Sequence, residues 1–105
     1  MREKEIEKIL VSEVKKLGGR AYKWTSPGND GVPDRIVIFP NRTPVFVELK
    51  TDAGKLSALQ KVQIDRLRAL GQKVYVAYGL DGVSQFFQDE GYEETSKALD
   101  CRYEM

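Results

Sequence analysis

The sequence predicts an α/β domain, a mixed sheet flanked by helices in the order helix, three strands, helix, strand, helix. Three observations predict it. Ile6, Ile9, Leu10, Val14 and Leu17 recur at helical spacing near the N-terminus. Two runs rich in Val and Ile, Asp34 to Phe39 and Val45 to Thr51, are joined by Pro40-Asn41-Arg42-Thr43-Pro44, short enough for an antiparallel hairpin. The second run is followed by a helical stretch and a further strand. That unit implies two parallel strands and a right-handed crossover.

Each element has its own signals. The first helix spans Glu3 to Leu17 and is closed by Gly18-Gly19. Arg20 to Trp24 reads as a short strand. Thr25-Ser26-Pro27-Gly28-Asn29-Asp30-Gly31 is dense in turn formers and reads as a loop. Ser57 to Leu70 is a helix opened by Ser57-x-x-Gln60, a capping-box pattern, and closed by Gly71. Lys73 to Tyr78 is the last strand, and Val83 to Gln88 a short helix. The acidic stretch from 89 to 105 carries no assignment. The whole, 1–105, is expected to be one domain with its core at about 3–88.

Composition narrows the chemistry. The chain has 105 residues, 41% hydrophobic and 31% charged, as ordinary globular domains have. No apolar run reaches the length of a bilayer span, and the start lacks a signal-peptide core, so no membrane partner and a cytoplasmic location are expected. One cysteine, Cys101, leaves no internal disulfide and no multi-cysteine metal site. Histidine is absent, which excludes Ser-His and Cys-His catalysis and His-ligated zinc. Reactions must then use carboxylates, lysine, hydroxyls or an oxygen-bound metal. Net charge is only +1, but through Tyr75 fifteen Lys and Arg face nine Asp and Glu, and beyond it two face seven. A basic body with an acidic tail hints at a polyanionic partner.

The informative group is Pro33-Asp34 at the start of one strand and Glu48-Leu49-Lys50 at the end of the next. Alternation puts Glu48 and Lys50 on one face and Val45, Val47 and Leu49 on the other. Hairpin pairing brings Asp34 opposite or diagonal to Glu48. Two carboxylates so placed can share one Mg²⁺ and its water, the requirement for cleaving a phosphodiester without histidine. Lys50 beside them can orient water or offset phosphoryl charge. An E-x-K triplet alone also describes a solvated strand end. Here the strand lies in a parallel crossover, where both faces are normally covered and unpaired charge is costly.

Two helical residues extend the group. Glu7 has Leu10, Val11 and Val14 at i+3, i+4 and i+7, with Glu3 a rival on the same side. Gln60 has Ile64 and Leu67 at i+4 and i+7, and a polar group on such a stripe wants a partner.

Gly31-Val32-Pro33-Asp34-Arg35, Val45-Phe46-Val47-Glu48-Leu49-Lys50 and Leu56-Ser57-x-x-Gln60, in that order, resemble the virus-type replication-repair nuclease (VRR-NUC) family, a branch of the PD-(D/E)xK superfamily. The resemblance runs from about Glu3 to about Tyr78. It implies a PD-(D/E)xK, restriction-endonuclease-like fold and a Mg²⁺- or Mn²⁺-dependent endonuclease on DNA that leaves 5′-phosphate and 3′-hydroxyl ends. It implies Asp34 and Glu48 as metal-binding acids, Lys50 as catalytic lysine, Gln60 as the helix glutamine, and Glu7 or Glu3 as the helical acid.

Lys23, Arg35, Lys55, Lys61 and Arg66 are expected phosphate contacts, against the ordinary reading of exposed charge. Trp24 and Tyr22 fit packed core better than base stacking. No nucleotide-loop pattern occurs, and no organic cofactor is expected. The rival functions are a catalytically silent DNA-binding module on this fold and a protein-interaction domain. Val83, Phe86 and Phe87, with Tyr92 and Leu99, exceed what a short terminal helix can bury, which suggests a homodimer. Two centres in such a dimer suit paired cuts in branched DNA such as four-way junctions.

Overall fold

A computed structural model of the protein describes residues 1–103. Its elements are α1 (Glu3–Lys16), β1 (Arg20–Lys23), β2 (Arg35–Ile38), β3 (Val45–Lys50), α2 (Ala58–Ala69), β4 (Val74–Tyr78), α3 (Gly79–Asp89) and α4 (Glu93–Arg102). The sheet order is β1-β2-β3-β4, with β1/β2 and β2/β3 antiparallel and β3/β4 parallel. This is the mixed α/β arrangement expected from the hairpin and the crossover.

Side-chain alternation divides the sheet into two faces. Val37, Val45, Val47, Leu49 and Ala77 point to the side where Ile6, Leu10 and Val14 of α1 and Val83 and Phe86 of α3 complete the main core. Glu48 falls on the opposite face, where α2 packs; Ile64 and Val74 are buried there, outside the main cluster. β3 is therefore covered on both sides, as a strand within a parallel crossover should be.

Two expectations change at the C-terminal end. The short helix at Val83–Gln88 is a longer α3 that starts at Gly79, directly after β4. The acidic stretch without assignment contains α4, which docks on α3 through Leu99 and Ser96, both buried. Ser84 Oγ bonds to Ser96 Oγ at 2.7 Å and donates to Asp100 Oδ1 at 2.6 Å, tying the two helices together. Val83, Phe86, Phe87 and Leu99 are all buried within the chain, and Tyr92 packs against Phe39 with the rings tilted and their centroids 4.7 Å apart. The terminal apolar group thus completes the core, and its surplus is no argument for a dimer. Exposed apolar side chains lie elsewhere, among them Tyr22 and Ile38 on the sheet, Leu59 and Val62 on α2, and Leu70 just past its end.

Among the described residues, no helix is long and apolar enough to cross a membrane.

Candidate active site

The site lies where β3 and β4 end and α2 and α3 begin. In α/β sheets this carboxyl edge is the usual place for ligands, since loops and helix N-termini face the same space. The β2/β3 register pairs Arg35 with Val47, so one step further Asp34 stands opposite Glu48. Asp34 Oδ2 accepts the Leu49 N–H at 2.9 Å, on the side of β3 that β2 no longer covers. That bond fixes one carboxylate oxygen and leaves Asp34 half-buried beside its neighbour.

Glu48 is 2% exposed, rare for a carboxylate. Its Oε2 accepts Gln60 Nε2 at 2.9 Å and lies 3.5 Å from Lys50 Nζ. Its Oε1 is buried and has no hydrogen-bond partner among the described residues. Burial, then the charge of Asp34, push the Glu48 carboxyl up to about 7, with Lys50 pulling the other way. A buried carboxylate with an orphaned oxygen is costly unless a cation takes it.

Gln60 has two jobs. Its Oε1 accepts the Ser57 N–H at 2.9 Å while its own N–H donates to Ser57 Oγ at 3.1 Å, a complete capping box. The remaining amide hydrogens face Glu48. The preceding loop is fitted to the same turn of α2. Gly31 has φ of +91°, and a Cβ there would sit 2.6 Å from the Leu59 carbonyl carbon. Only glycine meets both conditions. The contact sets the height at which the chain enters Pro33-Asp34.

The helical acids separate. Glu7 Oε2 accepts Arg35 Nε at 2.7 Å, and Arg35 Nη1 donates to the Ala21 carbonyl at 3.1 Å. Glu7 therefore belongs to an ion pair on the α1 face, away from Glu48. Glu3 is the helical acid whose charge reaches Glu48. The apolar stripe of α1 fits both positions, so periodicity alone could not choose. Arg35, expected to contact phosphate, is held by Glu7 with its side chain only 18% exposed. Lys23, Lys55 and Lys61 are exposed. Lys23 lines a groove with Lys4, Lys8 and Lys15 of α1, three residues not foreseen in the sequence reading although their spacing puts them on one helix face. Trp24 packs on Phe46 at 5.3 Å, and Tyr22 is exposed on the sheet.

The residues present fit a divalent cation coordinated through oxygen. Among the described residues no cluster of three or more acids is close enough to hold a metal alone. Two carboxylates with water in the remaining positions are what Mg²⁺ usually takes from a protein. The orphaned Glu48 Oε1, next to the charge of Asp34, is the oxygen left free for such a ligand.

Comparison with known proteins bears on the family and the fold. Residues 2–81 match the model of the VRR-NUC domain family. The protein called "Putative nuclease p44" of Acyrthosiphon pisum secondary endosymbiont phage 1 is 53% identical over 76 residues, covering 72% of this chain and 82% of that protein. A solved structure of a VRR_NUC domain superposes with a TM-score of 0.77 at 29% identity, covering 82% of this chain and 94% of the other. The sheet with its Asp34, Glu48 and Lys50 motif has the PD-(D/E)xK form, and the chain belongs to the VRR-NUC domain family of nucleases.

Proposed function

We propose that the protein is a Mg²⁺- or Mn²⁺-dependent endonuclease that hydrolyses phosphodiester bonds in DNA, leaving 5′-phosphate and 3′-hydroxyl ends. The observation that carries this reading is Glu48, a buried carboxylate beside Asp34 with one oxygen unpartnered among the described residues. Asp34 and Glu48 would hold the cation, and of the two helical acids it is Glu3 whose charge reaches Glu48. When bound, the metal supplies Lewis-acid stabilisation and acidifies water.

The chain's own residues do the rest. Asp34 is held by the Leu49 N–H, so its free oxygen has a fixed direction. Gln60 holds Glu48 Oε2 and fixes the carboxylate plane. Lys50 Nζ, 15% exposed and 3.5 Å from Glu48, would stand beside a phosphoryl oxygen that gains negative charge in the transition state. Such preorganised groups act strongly because they need no rearrangement during the reaction. A catalytically silent DNA-binding module would have no use for this fixed, unpartnered carboxylate.

The finer reading is a structure-selective enzyme on branched DNA, acting as a two-fold homodimer with one centre for each strand. Its physical support is that one small domain carries one centre. Exposed Tyr22, Ile38, Leu59 and Val62 offer apolar surface outside the core. A panel of labelled single strands, duplexes, flaps and four-way junctions, each with Mg²⁺, Mn²⁺ or EDTA, tests the proposal. Cleavage in both metals, none in EDTA and preference for junctions are expected. Equal cleavage in EDTA would overturn the metal dependence.

A further inference from the structure

A groove of about 430 Å³ runs between α1 and the sheet, on the face opposite Glu48 and Lys50. Its charged lining is Lys4, Lys8 and Lys15 from α1, Lys23 from the edge strand β1, and Glu7 with Arg35. Glu7 and Arg35 neutralise each other at 2.7 Å. The four lysines are exposed, and among the described residues none has an ion-pair partner. Cations that have a carboxylate in reach do turn to it: Lys16 and Arg102 to Glu13, and Lys73 to Glu90.

Four unpaired like charges along one groove repel one another, and Lys4 and Lys8, one turn apart, do so within the helix itself. Such an arrangement is relieved by a bound polyanion. The lysines of α1 extend over about 16 Å of helix, at the rise of 1.5 Å per residue. That is long enough for several consecutive phosphates and too long for a single one. The groove also points at the centre. Lys4 follows Glu3, whose charge reaches Glu48, and Lys23 pairs in register with Arg35, the neighbour of Asp34. Lys15 marks the far end.

Resting on the nuclease reading, we infer that this groove seats the sugar–phosphate backbone of a nucleic-acid strand as it enters or leaves the acidic centre. The substrate would then bend around the carboxyl edge of the sheet, cut on one face and held on the other. Contacts of this kind position the strand without reading its sequence, since phosphates carry no base identity.

The test is salt-dependent binding of a labelled DNA junction in EDTA, where cleavage does not interfere. Wild-type protein is compared with the Lys8→Ala/Lys15→Ala double variant and with Lys97→Ala, which lies on α4 outside the groove. The double variant should flatten the slope of log K against log salt by about 1.4–1.8, the release from two phosphate contacts. With Mg²⁺ restored, its KM should rise. Lys97→Ala should keep the wild-type slope, and circular dichroism should show all three folded. An unchanged slope in a double variant that still binds and cuts DNA would overturn the groove and leave the nuclease standing. A wild-type protein that neither binds nor cleaves DNA would overturn both.

Discussion

Gln60 Nε2 donates to Glu48 Oε2 at 2.9 Å, so the residue that closes the capping box of α2 also fixes the buried carboxylate of β3. Helix start and site geometry are one unit here. The coupling follows from chain order, since only the seven residues 51–57 separate β3 from α2 and the first turn of α2 returns over the strand just completed.

The two functions of Gln60 are separable by mutation. Gln60→Ala should lower kcat by about 10- to 100-fold, the usual cost of losing a group that orients a ligand-bearing side chain. Ser57→Ala should cost about 1 kcal/mol of stability through the lost cap yet keep kcat close to wild type. Steady-state rates and melting temperatures for both variants decide it. Equal kcat losses in the two would mean that Gln60 acts only through the helix cap.

Gly31 and Gly28 offer a matched pair. Both have positive φ, but a Cβ at Gly31 meets the Leu59 and Gln60 backbone whereas one at Gly28 meets nothing within 4 Å. Gly28→Ala should cost only about 1–2 kcal/mol from the left-handed backbone. Gly31→Ala should cost more and also lower activity, because the loop that delivers Asp34 must move off α2. If Gly31→Ala cuts DNA as fast as Gly28→Ala, the loop does not position Asp34.

Stability should depend on pH through Glu48. Its folded carboxyl is raised from 4.5 to about 7, so between those values the native state holds a proton that the unfolded chain has released. The sign follows: without metal, stability falls as pH rises through that window and levels off above about 7. Added Mg²⁺ needs the charged form, so the rise in melting temperature it causes should grow from pH about 6 to about 8. Glu48→Gln should abolish both trends, and Asp34→Asn should raise the metal-free melting temperature. Melting curves at several pH values, with and without Mg²⁺, provide the check.

How much of this was legible in the sequence depends on the range of the interaction. The alternation in Val45–Lys50 gave the two faces of β3, and the hairpin link placed Asp34 near Glu48, because strand period and turn length are local. Ser57-x-x-Gln60 gave the start of α2 for the same reason. The pairing of Glu7 with Arg35 joins residues 28 apart and depends on how α1 lies over the sheet, so no local pattern announced it. α4 was missed because its buried positions, Ser96 and Leu99, are few and one is polar. A weak stripe does not mark a helix that owes its place to its neighbour α3. That same helix explains why Phe86 and Phe87 look excessive in sequence and are buried in the fold.

Assembly can be tested independently of chemistry. Sedimentation at micromolar concentration should give a homodimer. Charged substitutions at Ile38 and Val62, exposed by 37% and 44%, should then weaken it more than the same change at Leu70 beyond the end of α2. A clean monomer at all concentrations would remove the dimer and the paired-cut reading with it.

The most direct measurement is the single-turnover cleavage rate of Glu48→Gln beside wild type, on the same DNA with Mg²⁺. The substitution keeps the size of the buried side chain and removes the charge that repels Asp34. The variant should stay folded, melt no lower than the metal-free wild type, and lose nearly all cleavage. A folded Glu48→Gln protein that cuts at the wild-type rate would contradict the assignment of the centre to Asp34, Glu48 and Lys50.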